Sequence, residues 1–205
     1  MACRLRPRAV LAALAVALAA IGVWQVAAGA AIHAKAWLAQ RLLQRAWQRT
    51  LAGESEVKPW PWADTWPVAR LRVPAYDADL IVLDGVSGRT LAFGPGHAHG
   101  TAQLDAPGTA IVSGHRDTHF RFLAHVRPGD EILVETVAHG VARYRVSTTG
   151  VVDGRRGRIV SAADDATLAL ITCYPFDAVV PGGPLRWVVA AERVAVAPRS
   201  LVSTR

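Results

Sequence analysis

Cysteine is nearly absent. Only Cys3 and Cys173 carry a thiol among the 205 residues. Two cysteines so far apart build no disulfide framework. An unpaired Cys173 in a domain outside the cytoplasm therefore calls for an explanation. Lysine is scarce as well, and both copies, Lys35 and Lys58, precede the main domain. The net charge of +7 suggests nucleic acid until it is located. Residues 1–67 hold eight Lys or Arg against three Asp or Glu, whereas residues 68–205 hold fifteen against thirteen. A nearly balanced main domain excludes a nucleic-acid footprint there. Internal repeats are lacking. No Glu follows His115, so His115 and His119, although spaced i, i+4, are not a His-Glu-x-x-His zinc site. His97 and His99 make an equally thin metal pattern.

One long apolar run is present. Arg4, Arg6 and Arg8 precede residues 9–32, in which only Gln25 is clearly polar. About 20 apolar residues suffice to span a bilayer. The basic flank keeps the N-terminus in the cytoplasm and sends the rest of the chain outside. A signal peptide cleaved near Ala28-Gly29-Ala30 is the alternative, but the run exceeds the usual apolar region of such peptides. Residues 33–52 continue as a helix, with Leu38, Leu42, Leu43, Ala46 and Trp47 on one face and Lys35, Arg41, Arg45 and Arg49 opposite. This helix either lies on anionic lipid or packs on its own domain. Trp24, Trp37 and Trp47 suit a membrane interface. Residues 57–67 carry three prolines and three tryptophans. Regular structure is excluded there, yet so many tryptophans predict packing rather than a free spacer. The expected organisation is span, 1–32; juxtamembrane helix and Trp/Pro linker, 33–67; main domain, 68–196; frayed tail, 197–205.

From residue 68 the pattern becomes short strands at 69–73, 80–83, 109–113, 131–136, 142–152, 167–173 and 185–194. Turn signals separate them, among them Asp84-Gly85, Pro128-Gly129-Asp130 and Pro181-Gly182-Gly183. So many short strands predict an all-β sandwich or closed barrel. In the strand at 167–173, Leu168, Leu170 and Thr172 face one way and Ala169, Ile171 and Cys173 the other. Both faces are mostly apolar, which predicts a central strand. Pro175 ends it, so Cys173 sits at the rim.

Two other residues attract attention. His115 follows a strand closed by Gly114. Arg186 interrupts the apolar run Leu185 to Ala190, and burying it is costly without a partner or a task. Thiol acyl transfer uses these three types: a thiolate attacks a carbonyl, an imidazole moves the proton, and a guanidinium holds the oxyanion. The residues alone leave open a buried, inert Cys173 with His115 as a loop histidine.

Gly114-His115-Arg116-Asp117 with Phe120 and Leu123, Pro128-Gly129-Asp130, Leu170-Ile171-Thr172-Cys173-Tyr174-Pro175 and Leu185-Arg186-Trp187-Val188-Val189 together resemble the signature blocks of the sortases, over roughly residues 68–196. Phe93-Gly94-Pro95-Gly96-His97, the Trp/Pro linker and the preceding helix look most like the class found in Gram-negative bacteria. The resemblance implies a closed eight-stranded β-barrel with short helices in its loops, behind a transmembrane helix. It implies a membrane-anchored cysteine transpeptidase with Cys173 as nucleophile, His115 as acid/base and Arg186 on the substrate carbonyl or oxyanion. The partner would be a secreted protein ending in a sorting motif like Leu-Pro-x-Thr-Gly. The acceptor would be an amine, and neither metal nor organic cofactor is required. The chain would cross the inner membrane once, with its barrel in the periplasm and Cys3 across the membrane from Cys173.

His97, near the matching Phe93–His97 segment, is expected to face the cleft. Asp117 could orient His115, although contact with Arg116 is the commoner outcome at such short range. Thr172 and Tyr174 are expected to line the substrate groove. His119 is expected at the surface, and Asp79, Asp84 and Asp105 as solvated loop charges. The Asp64-Thr65-Trp66-Pro67 sequence lacks the Asp-Pro-aromatic motif of a sortase lid. Two other readings are a cysteine peptidase or transpeptidase acting on cell-wall peptide, and a non-catalytic membrane-anchored assembly module.

Overall fold

A computed structural model describes residues 7–156, 166–178, 180 and 182–194. The expected tail, the arginines at 4 and 6, Cys3, and Pro181 of one turn signal lie outside the described residues. The chain divides into two compact units, one ending at Arg41 and the other beginning at Leu42.

Helix α1 (Pro7–Leu51) runs without interruption through the apolar segment and the amphipathic one. By length and composition it can cross a membrane. Leu11, Leu18, Val23, Trp24 and Trp37 are exposed along it, and Arg41 stacks on Trp37. The last turns differ. Leu43 and Trp47 are buried with Ile81 and Leu83, and Phe93 packs against them. The expectation that Trp47 sits at a membrane interface is therefore corrected. Its ring is worth more buried against the barrel, where it is only 1% exposed.

The second unit is a closed barrel of eight strands in the order β1-β2-β3-β4-β7-β8-β6-β5. These are β1 (Pro67–Val73), β2 (Ala78–Asp84), β3 (Gly96–His97), β4 (Gly108–Ser113), β5 (Glu131–Thr136), β6 (Gly140–Asp153), β7 (Ala166–Cys173) and β8 (Leu185–Arg193). A one-turn helix α2 (Gly88–Leu91) precedes β3, with Ser87 Oγ accepting from Thr90 N as its cap. All seven strands read from period-two patterning are present, and closure leaves no open sheet edge. The core takes one face of each strand: Leu71, Val112, Ile132, Val134, Tyr144, Val146, Leu168, Leu170, Val189 and others. Phe120 and Leu123, from the segment after β4, join it.

Strand β3 escapes patterning because two residues carry no period. It joins β2, in parallel, to β4, antiparallel. Glycine is required at position 96, since a Cβ there would meet the Gly85 carbonyl oxygen at 2.0 Å. The Trp/Pro linker packs as expected. Trp60 makes an edge contact with Phe93 at 4.7 Å, and Thr65 Oγ1 donates to the Asp84 carbonyl at 2.8 Å. Trp62 is the exception, at 82% exposed.

Candidate active site

Three neighbouring strands, β4, β7 and β8, bring the expected trio to one rim. Strand β7 is central, pairing in parallel with β4 and antiparallel with β8. Its last pair with β8 is Cys173 opposite Arg186. Residues opposite each other share a face, so thiol and guanidinium stand on the same side of the sheet. That side is the outer one, because Leu168 and Leu170 occupy the core face. Cys173 is unpaired and half-buried.

His115 reaches the same place from β4. The last pair with β7 is Ser113 opposite Ile171. One residue further, Gly114 N donates to Ile171 O at 3.1 Å. Thr172 Oγ1 donates to Gly114 O at 2.7 Å. The two strands thus stay joined to Gly114 and Thr172, and His115 and Cys173 are each the next residue beyond that join. His115 is exposed.

Gly114 is needed by packing. A Cβ on it would meet the Phe120 ring at 2.8 Å. Phe120 is fully buried, and its N–H donates to the His115 carbonyl at 2.9 Å. The loop after β4 therefore folds back tightly beneath His115.

Arg186 Nη1 donates to the carbonyls of Gly183 and Leu185 at 2.7 and 2.8 Å. The guanidinium is thereby held by the carbonyls of its own loop. Trp187 and Tyr174 stack with centroids 5.9 Å apart. Phe176 meets both rings edge-on, and Trp187 Nε1 donates to Leu123 O. These contacts fix the start of the β7–β8 loop just past Cys173.

The remaining expected residues divide. Thr172 is 2% exposed. It does not line a groove, because its hydroxyl is spent on tying β7 to β4. Tyr174 remains partly exposed beside Cys173. Asp117 accepts from Arg116 Nε at 3.1 Å with its own carboxylate 72% exposed. It helps line a cavity of about 520 Å³ with Arg116, Arg121, Phe176 and Asp177. His97 is not brought to this rim. It is buried, pairs with Val112 and places Nε2 2.8 Å from Ala102 O. It lines a separate cavity with Thr50, Gln103, Leu104 and His139.

Two further expectations are corrected. His119 is half-buried rather than superficial. Burial pushes its pKa down, and the nearby His115 adds to this, against a hydrogen bond to the Phe93 backbone. The three aspartates are not solvated loop charges. Asp79 pairs with Arg70 at 2.5 Å, and the hydrogen bond from that guanidinium holds its carboxyl below the usual range. Asp84 lies 2.9 Å from His99 Nε2. Asp105 is 2% exposed, with Arg193 Nη1 3.0 Å from Oδ1. His139 Nδ1 lies 3.7 Å from Oδ2 of the same carboxylate, and Tyr144 interacts with it.

No group of three metal-ligating side chains occurs among the described residues. Sequence reasoning missed Arg116. It is 8% exposed and donates to the carbonyls of Pro175 and Ala178 at 2.5 and 2.7 Å. Only its position directly after His115 hinted at a role.

Comparison with known proteins agrees with this architecture. The family model described as Sortase domain matches residues 71–194. Sortase D of Bacillus subtilis (strain 168) is 31% identical over 125 residues, which cover 60% of this chain and 62% of that protein. The match thus spans less than two thirds of that relative's length. Among solved structures, a sortase D5 transpeptidase from Clostridium perfringens superposes with TM-score 0.61 at 18% identity, covering 77% of this chain and 99% of that one. Sortase A from Corynebacterium diphtheriae gives 0.59 at 24% identity, covering 78% and 86%. At these identities the two structures support the fold alone.

Proposed function

The chain belongs to the sortase family, whose members are cysteine transpeptidases, and from that premise we propose that it is a thiol acyltransferase using Cys173, His115 and Arg186. The observation that carries this is the Cys173–Arg186 pair at the end of β7 and β8, with His115 leaving β4 beside it. The Cys173 thiolate attacks the carbonyl carbon of a peptide bond. The S–C bond forms and the carbonyl electrons move to oxygen. Arg186 is proposed to donate to that oxyanion. His115 protonates the leaving amine as the C–N bond breaks, which leaves a thioester on Cys173. An incoming amine gives a proton to His115, attacks the thioester and releases the thiolate. Water is the slow substitute.

The proposed substrate is the C-terminal sorting motif, similar to Leu-Pro-x-Thr-Gly, of a secreted protein. The outer face behind Cys173 offers Ile171 paired with Val188, and Val188 paired with Gly150. This apolar row with a small residue suits an extended segment carrying Leu and Pro. The acceptor amine is proposed to approach through the cavity lined by Arg116, Asp117, Arg121 and Asp177. Helix α1 is proposed to anchor the enzyme in the inner membrane with the barrel in the periplasm. The Trp/Pro linker and the Phe93–His97 segment support the Gram-negative class.

The test is a fluorogenic peptide series with and without an added amine. Cleavage of a Leu-Pro-x-Thr-like peptide, faster with amine and lost in Cys173→Ala, is expected. Turnover of cell-wall peptide instead, or processing that survives Cys173→Ala, would overturn the reading.

A further inference from the structure

Arg116 is a charged residue in a place that usually rejects charge. A buried guanidinium is costly unless its donors are satisfied. Its one ion-pair partner among the described residues, Asp117, is an exposed neighbour, and exposed pairs contribute little. What the burial achieves is reach. The planar fork spans two backbone carbonyls, Pro175 and Ala178, with charge-assisted hydrogen bonds that are short and directional. A lysine has the charge but not the fork, and a leucine has neither.

The location of those carbonyls gives the fork its meaning. His115 and Cys173 sit on different strands. Sheet register fixes them only as far as Gly114 and Thr172. Cys173 still pairs with Arg186 of β8, and past Ser113 and Cys173 both strands become loop. Arg116 directly follows the histidine, and Pro175 comes two residues after the cysteine. The guanidinium therefore ties the histidine loop to the cysteine loop. The Thr172–Gly114 bond ties the same two loops from the strand side. His115 is thus held from before and after.

We propose that Arg116 is a positioning residue, setting the distance and orientation of His115 relative to Cys173 by clamping the Pro175–Ala178 segment. The claim rests on the Cys173–His115 pair proposed above. A small displacement of a reacting group is enough to cost about 100-fold in rate. Because Arg116 acts through His115, its loss alters proton transfer more than peptide binding.

The experiment follows the rate of Cys173 alkylation by iodoacetamide against pH, which needs no knowledge of the substrate. It uses the full chain in detergent as wild type, His115→Ala, Arg116→Ala and Arg116→Lys, each checked by thermal melting. Wild type and His115→Ala must differ in profile; equal profiles sink the pair itself rather than the clamp. Given that difference, Arg116→Ala is expected to move the profile part of the way toward His115→Ala, with Arg116→Lys between it and wild type. Millimolar methylguanidinium is expected to restore Arg116→Ala toward wild type. In the peptide assay the loss, about 100-fold, should fall on kcat with KM little changed. A folded Arg116→Ala protein with the wild-type alkylation profile would overturn the proposal. Should Arg116→Ala not melt cooperatively, Arg116→Lys decides in its place: a shifted profile supports the clamp and an unshifted one refutes it.

Discussion

At the scale of single residues, the site depends on what stands opposite what. Arg186 stands opposite Cys173 across an antiparallel pair, and its proposed hold on the reacting carbonyl uses the guanidinium plane as well as the charge. Arg186→Lys is expected to lower kcat/KM by about 100-fold, the scale of losing one oxyanion donor. Steady-state kinetics on a cleaved peptide decides this, and a lysine enzyme as fast as wild type would remove Arg186 from the mechanism. Thr172→Val deletes the donor to Gly114 O and leaves that buried carbonyl short of a partner. A loss of roughly 1–3 kcal/mol in urea denaturation is expected. The thiol, the histidine and the arginine were legible because each is a chemical exception on an apolar strand or at its end. Arg116 was not. Its partners are backbone carbonyls 59 and 62 residues downstream, and no side-chain pattern marks a carbonyl. Asp105 misled for a similar reason: an aspartate before a Pro-Gly turn reads as solvated, and its cation, Arg193, lies 88 residues away.

At the scale of elements, strand alternation was readable because seven strands each bury one face, and burial imposes a period of two. Strand β3 has two residues and no period, so its place between β2 and β4 emerges only from pairing. For α1, the apolar run was plain, but the end of the amphipathic part had two possible hosts, lipid or barrel. The aromatic ring of Trp47 shows which host its last turns take, being buried with Leu43, Ile81 and Leu83. Trp47→Ala is accordingly expected to destabilise the barrel by about 3–5 kcal/mol, the usual cost of emptying a large core site. A chain beginning at Leu42 should melt cooperatively, whereas one beginning at Pro67 should melt markedly lower. Gly114→Ala should cost about 1–3 kcal/mol by overpacking against Phe120 and also disturb His115, visible as a lower melting temperature together with slower peptide cleavage.

At the scale of the whole molecule, a barrel closed by β1 and β5 carries its proposed site on one rim and elsewhere buries the Asp105 carboxylate beside Arg193. Arg193→Ala takes the guanidinium away from buried Asp105, leaving His139 3.7 Å from it, and should cost roughly 3 kcal/mol. Acid should weaken the fold through His119. Its folded pKa lies below the ordinary value of 6.5, so the unfolded chain takes up the proton first. The stability it contributes is complete above 6.5 and is lost as pH falls from there through the folded pKa. His119→Gln should flatten the decline of melting temperature below 6.5. A decline equally steep in the variant would show that other groups carry it. The central claim, that Cys173 takes an acyl group from peptide with His115 and Arg186 beside it, is tested most directly by mass spectrometry of the enzyme quenched in acid during turnover of a Leu-Pro-x-Thr-like peptide. The account predicts the mass of the N-terminal acyl fragment on the Cys173 peptide, removed by hydroxylamine and missing from Cys173→Ala. Peptide cleaved at full rate with Cys173 never acylated would contradict it.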